Sequence, residues 1–138
     1  MRVLGIDFGT QRIGLAVGST ETGLARPLGV IHRTTRHALW QALLDVLKRE
    51  SINLIALGYP AQEHGPESTT CRQVRNFAQS LMRRTTIPLV LVNEAYSTWE
   101  ALQRLTEAGV PPAKRRHLRD TAAAVEIVES YLRACSSV

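Results

Sequence analysis

The stretch Val3-Leu4-Gly5-Ile6-Asp7-Phe8-Gly9-Thr10-Gln11-Arg12-Ile13-Gly14-Leu15-Ala16-Val17-Gly18-Ser19 decides how the chain is read. Val3 to Phe8 and Arg12 to Ser19 have strand character, and Gly9-Thr10-Gln11 between them supplies turn residues. So short a spacing suits an antiparallel return rather than a crossover. Alternation along the first run puts Val3, Gly5 and Asp7 on one face and Leu4, Ile6 and Phe8 on the other. A carboxylate in a central strand is costly unless it is paired, hydrogen-bonded or metal-bound. The competing account of Asp7 is an Asx-type turn that bonds the backbone of Gly9 or Thr10.

Working outward, Thr20-Glu21-Thr22-Gly23 leads into a third strand, Leu24 to Ile31, which completes a meander. The period then changes. Leu39, Trp40, Leu43, Leu44 and Leu47 recur at helical spacing from about Thr35 to Glu50, and this stripe makes Trp40 a core residue. Asn53 to Gly58 is a short apolar run of the buried parallel-strand type. A polar loop, Tyr59 to Glu67, precedes a second helix with Val74, Phe77, Ala78 and Leu81 on one face. Pro88 to Val92 is another buried strand, ending at Asn93-Glu94. Ser97-Thr98-Trp99-Glu100 opens a third helix with a capping-box pattern. After a loop from Gly109 to His117, a last helix runs from about Asp120 to Ala134. The order βββαβαβαα predicts one α/β domain over residues 1–138, with a five-stranded mixed sheet flanked by helices. Three of its strands are antiparallel and two are parallel, which is the layout of the ribonuclease H-like fold.

With 138 residues, 44% hydrophobic and 21% charged, the chain has the balance of an ordinary soluble globular domain. The apolar opening is broken at once by Asp7, so it reads as a strand and not a leader. No apolar stretch approaches the roughly 18 residues of a membrane span. Cys71 and Cys135 make neither a CxxC pair nor a disulfide framework. A cytoplasmic protein without a membrane partner is expected. The net charge is +5, and 15 of the 17 basic residues are arginine, whose planar fork matches phosphate oxygens. The balance favours a polyanionic partner.

Two further carboxylates join Asp7. Glu94 follows a buried parallel strand, where open α/β sheets place their ligand sites, although a lone Glu in a loop is more often solvated. Asp120 shares a helix face with Ala124, Ile127, Val128 and Tyr131, and the run Ala122-Ala123-Ala124 lets that face approach the sheet closely. Its competing role is an N-cap. Together Asp7, Glu94 and Asp120 converge at the strand ends in this layout, and such oxygen ligands suit Mg²⁺ or Mn²⁺, one ion or two. Lys114-Arg115-Arg116-His117-Leu118-Arg119 runs straight into Asp120 and reads as a clamp for a phosphate backbone, the alternative being a solvated loop. Arg12 is the further basic candidate for nucleic-acid binding. His64 and His117 are candidate general bases with no supporting pattern, and Trp99 is a candidate stacking platform or a packing residue.

Three segments and the final helix together resemble the YqgF (RuvX) family of Holliday junction resolvases and precursor-rRNA nucleases. Gly5-Ile6-Asp7-Phe8-Gly9-Thr10 with Arg12 to Gly18 looks like the family's opening, and Leu57-Gly58-Tyr59-Pro60 with Gly65 resembles its Gly-Leu-Pro loop. Asn93-Glu94-Ala95-Tyr96-Ser97-Thr98 resembles its acidic segment, and Asp120 to Leu132 its final helix. The resemblance implies a metal-dependent nuclease with Asp7, Glu94 and Asp120 as catalytic and metal-binding carboxylates. Processing of the 5′ end of precursor 16S rRNA is the implied task, with cleavage of four-way DNA junctions as the alternative. Asn93 stands where the family commonly has Asp, and Ala95 where it has Arg, which leaves a non-catalytic RNA-binding module as a further alternative. Asp7-Phe8-Gly9-Thr10 also resembles the phosphate loop of actin-like and sugar-kinase ATPases, but those close two such domains around a nucleotide. The partner expected is RNA, structured or single-stranded, or branched DNA, bound by a monomer: no apolar stripe is left over for a dimer.

Overall fold

The computed structural model describes residues 1–60, 69–93, 109 and 111–136. Among these, strands β1 (Arg2–Asp7), β2 (Arg12–Ser19) and β3 (Ala25–His32) are followed by helix α1 (Arg36–Arg49) and strand β4 (Leu54–Tyr59). Helix α2 (Thr69–Met82), strand β5 (Leu89–Asn93) and helix α3 (Pro112–Ser136) complete the elements. The sheet order is β3-β2-β1-β4-β5. β1 runs antiparallel to β2 and β2 to β3, whereas β4 is parallel to both β1 and β5. The predicted mixed sheet is therefore present, with each strand bound within a residue or so of its expected place. The helix expected from Ser97 lies outside the described residues.

Local chemistry explains several boundaries. Thr35 caps α1 by accepting a hydrogen bond from the Ala38 amide at 3.1 Å, and Lys48 and Arg49 sit in the last turn, where the helix dipole favours cations. In β3, Leu15 pairs with Gly29 but Ala16 pairs with Pro27, so Leu28 is an extra residue in a bulge. Proline is tolerated there because β3 is an edge strand. The last helix departs from expectation. It begins at Pro112, not near Asp120, and takes in the basic run that was read as a loop. Proline is pre-organised for the first helical position, and Ala, Lys and Arg are good helix formers.

The two faces of the sheet are unlike. Leu4 and Ile6 of β1, Ile13, Leu15 and Val17 of β2, and Ile55 and Leu57 of β4 pack with Leu39, Leu43 and Leu47 of α1 and Val74, Phe77 and Leu81 of α2. The other face carries Val3, Ala16, Leu54 and Ala56, packed with Ala124, Ile127, Val128 and Leu132 of α3. On this second face the side chains are so small that α3 nearly touches the strand backbone. A Cβ on Gly5 would lie 2.4 Å from Val128 Cγ2 and 2.6 Å from the Ala124 carbonyl oxygen. A Cβ on Gly18 would lie 2.5 Å from Val128 Cγ1. The close approach expected from the alanine run is thus present, and glycine in the facing strands is its counterpart.

Substituting Gly5→Ala should force α3 outward and destabilise the protein by about 1–3 kcal/mol, the usual cost of overpacking a tight core. Urea unfolding of the variant beside the native protein measures this, and an unchanged midpoint would mean that α3 is free to shift.

Candidate functional site

β1 ends at Asp7, and its register partner in β2 is Gly14. The missing side chain of Gly14 is what seats Asp120: a Cβ there would lie 2.1 Å from the Asp120 carbonyl oxygen and 3.2 Å from Asp120 Cβ. Asp120 therefore rests on the residue directly across the ladder from Asp7. Asp7 and Asp120 line one cleft of about 290 Å³, together with Gly9, Thr10, Gln11, Arg12 and Arg119.

Asp120 is only 8% exposed. A charge so placed needs partners. Arg12 Nε donates to its Oδ2 at 2.8 Å, and Arg119 Nε stands 3.7 Å from Oδ1. With α3 starting at Pro112, Asp120 lies about two turns inside the helix. It caps nothing, and its competing role as an N-cap falls. The neighbouring Thr121 hydroxyl is occupied within the helix, 3.2 Å from the carbonyls of both His117 and Leu118.

The turn between β1 and β2 is held from below. A Cβ at Gly9 would lie 2.4 Å from the Arg12 carbonyl oxygen, so the turn is closed too tightly for a side chain. Arg33, just past β3, donates from Nη1 to the Gly9 carbonyl at 3.1 Å and from its backbone N–H to the Gln11 carbonyl at 2.9 Å. Sequence reasoning missed Arg33 altogether, since nothing in its neighbours announces a role. It also missed the seat at Gly14, for which a signal existed: glycine inside a strand marks a close backbone approach.

Of the predicted site residues, the structure brings together Asp7, Asp120, Arg12 and Arg119. Arg12 is not a freestanding basic contact, because its Nε is committed to Asp120. Lys114 is exposed on α3 and does not line the cleft, and Arg115 and Arg116 belong to the same helix. Glu94, with His64, Ala95 and Trp99, lies outside the described residues. β5 does run parallel to β4, and β4 to β1, so Asn93 ends its strand at the same end of the sheet as Asp7. Trp40, expected in the core, is half-buried and stacks on Phe77 with ring centroids 5.5 Å apart.

The cleft offers carboxylate, amide and hydroxyl oxygens and, among the described residues, no His or Cys. Such a donor set fits Mg²⁺ or Mn²⁺ better than softer metals. Among the described residues no three metal-ligating side chains converge, so the described contribution is the pair Asp7 and Asp120.

The structure of RuvC from Thermus thermophilus aligns with a TM-score of 0.60 at 19% identity, covering 99% of this chain and 97% of that one. A fowlpox virus resolvase, solved in complex with substrate Holliday junction DNA, aligns with a TM-score of 0.60 at 12% identity, covering 98% and 99%. At such identities the likeness concerns the fold, and the architecture is that of the ribonuclease H-like α/β proteins. The family described as "RuvX: Holliday junction resolvase" matches residues 1–134, and the chain belongs to that family. A protein of Maridesulfovibrio salexigens named "Putative pre-16S rRNA nuclease" is 43% identical over 132 residues, covering 96% of this chain and 98% of its own. One of the same name from Klebsiella pneumoniae is 37% identical over 128 residues, covering 93% of each.

Removing the guanidinium in Arg12→Ala should leave the Asp120 carboxylate buried beside only the more distant Arg119, at a cost of about 1–3 kcal/mol. In the double variant Arg12→Ala/Asp120→Asn much of that loss should return, because no buried charge is left behind. Chemical denaturation of the four proteins gives the coupling energy, and strictly additive losses would show that the two residues do not act as a pair.

Proposed function

We propose that this chain is a divalent-metal-dependent nuclease that hydrolyses phosphodiester bonds in RNA, trimming the 5′ end of precursor 16S rRNA in the cytoplasm. The observation that carries the reading is the placement of Asp7 and Asp120 in one cleft whose wall is completed by Arg12 and Arg119. The relatives' printed names support the substrate, and family membership supports the nuclease class. Among the described residues no helix is long and apolar enough to cross a membrane.

Asp7 and Asp120, with Glu94 as third carboxylate, are the residues that would hold the metal. When bound, a divalent ion offsets charge on the phosphate oxygens and eases deprotonation of water at neutral pH. The remaining work falls to the chain. Arg12 grips Asp120 through Oδ2 and presets the orientation of that carboxylate. Arg12 and Arg119 supply positive charge at the cleft, which lets a phosphodiester approach two acidic side chains. Lys114, Arg115 and Arg116, farther back along α3, extend that attraction and slow the departure of the strand. The turn Gly9-Thr10-Gln11, tied down by Arg33, gives the cleft a fixed rim.

A second reading, cleavage of four-way DNA junctions, is favoured by the family's description and by the DNA in the fowlpox complex. Paired cuts on symmetric strands call for a two-fold dimer. We take the monomer acting on one RNA strand as the working reading, since unpaired RNA is the form whose bases a protein reaches most readily.

Asp7→Asn and Asp120→Asn should each abolish Mn²⁺-dependent cleavage while the domain stays folded. They should also remove the rise in Tm that Mn²⁺ gives the native protein. Full activity in either variant would exclude that residue from the site. In parallel digests, a precursor RNA with an unpaired 5′ extension should be cut and a mobile four-way DNA junction left intact. Symmetric nicking of the junction by a stable dimer would reverse the assignment of substrate.

A further inference from the structure

On the far side of the β1–β2 turn from Asp7 lies a groove of about 420 Å³ between α1 and α2. Four arginines line it: Arg33, Arg36, Arg83 and Arg84. Among the described residues none of the four has a carboxylate partner. Elsewhere Arg2 and Arg26 share Glu50, Arg49 pairs with Asp45, and Arg133 faces Glu129. The sequence explains the contrast, because no Asp or Glu occurs in residues 22–44 or 68–93, the segments that build most of the groove.

The groove is also stiff. Arg84 lies 4.2 Å above the Trp40 ring, Trp40 stacks on Phe77, and Phe77 meets Phe8 with centroids 4.8 Å apart. Arg33 closes the series, 5.3 Å from the Phe8 centroid. Arg84 Nη1 is further held by the Ser80 carbonyl at 2.8 Å, and Arg83 Nη2 by the Ser80 hydroxyl at 3.2 Å. A merely solvated charge run would not be locked in this way. These guanidiniums have already lost much of their rotamer freedom, so an anion that binds them bears less of that entropy.

We propose that this groove is a second nucleic-acid-binding surface, which holds the phosphate backbone of a single strand after it leaves the Asp7/Asp120 cleft over the Phe8–Gln11 turn. The partner is chosen by two features on one surface: unneutralised arginines held in place against the wall, and the amides of Gln73 and Asn76 beside them. Continuity decides the route. Phe8 lines the groove, Asp7 and Gly9 line the cleft, and Arg33 belongs to the groove while bonding the turn that rims the cleft. The identity of the strand as substrate rests on the nuclease reading, but the binding of a nucleic-acid backbone does not.

The test uses the full chain without divalent metal and a labelled single-stranded RNA of about 30 nucleotides, beyond the roughly 4–16 that one compact single-strand-binding fold covers. Arg33 is left in place because it supports the turn. Arg36→Glu/Arg83→Glu/Arg84→Glu should raise Kd at low salt by at least about tenfold and lower the slope of log Kd against log salt by about 2, as three lost contacts at ~0.7 each require. The corresponding triple lysine variant keeps the charge and should keep the slope. The chain has two tryptophans, so in Trp99→Phe the emission of Trp40 reports the groove directly. It should change on adding the long RNA, and not in the triple glutamate background. An unchanged Kd and slope in that background, or equal affinity for inorganic phosphate or a mononucleotide, would overturn the proposal. Asp7→Asn separates it from the nuclease reading. Retained cleavage there takes Asp7 out of the site, and no Mn²⁺-dependent cleavage by the native protein defeats the nuclease reading; either result leaves the groove standing, whereas unaltered binding in the triple glutamate variant defeats the groove alone.

Discussion

The architecture depends on the near-contact of α3 with the backbone of β1 and β2. On that face the strands present Gly5, Gly14 and Gly18, and the helix answers with Ala123, Ala124 and Val128. Helix and sheet meet almost main chain to main chain, so a single added methyl has no empty volume to enter. The opposite face is built on the reverse principle, with Leu, Ile and Phe side chains filling the gap to α1 and α2. One thin layer and one thick layer share a sheet. The thin layer is what brings a helix carboxylate down to the level of a strand carboxylate, and Asp120 reaches the neighbourhood of Asp7 because Gly14 leaves the space.

The charges divide along the same lines. A few arginines are spent on carboxylates, and the exposed pairs among them contribute little to stability. The Arg12–Asp120 pair is another matter, since the acid is nearly inaccessible and the guanidinium meets its Oδ2 at 2.8 Å. Four arginines that lack an acid among the described residues are gathered in the groove between α1 and α2, where Arg33 and Arg84 lie over aromatic rings. The net charge of +5 is therefore unevenly distributed, which a composition figure conceals.

Much of the fold was legible because period and alternation are local properties. The alternation of β1 separated Asp7 from the Ile6 face, and the alanine run of α3 announced a close packing that the structure contains. What escaped depended on partners distant in sequence. Arg12 and Asp120 are 108 residues apart, and nothing near either one names the other. Arg33 acts through carbonyls more than twenty residues away, which leave no trace in a side-chain pattern. The start of α3 was misplaced because a basic run after Pro111-Pro112 reads equally as a solvated loop. Proline at the first helical position decided otherwise. Of the three candidate carboxylates, the geometry bears on Asp7 and Asp120, and it brings the chain as far as Asn93, beside Glu94.

The order in which the parts are synthesised adds a last consequence. β1, β2 and β3 are joined by short turns and precede α1, β4 and α2, two of which cover the thick side. The helix that covers the thin side and carries Asp120 follows all five strands of the sheet in the chain. A chain still on the ribosome therefore carries Asp7 well before its counterpart Asp120 is made. Val3, Ala16, Leu54 and Ala56 stay uncovered until then. Covering that surface and completing the acidic pair are one event, so a polypeptide without α3 has neither a covered second face nor the cleft.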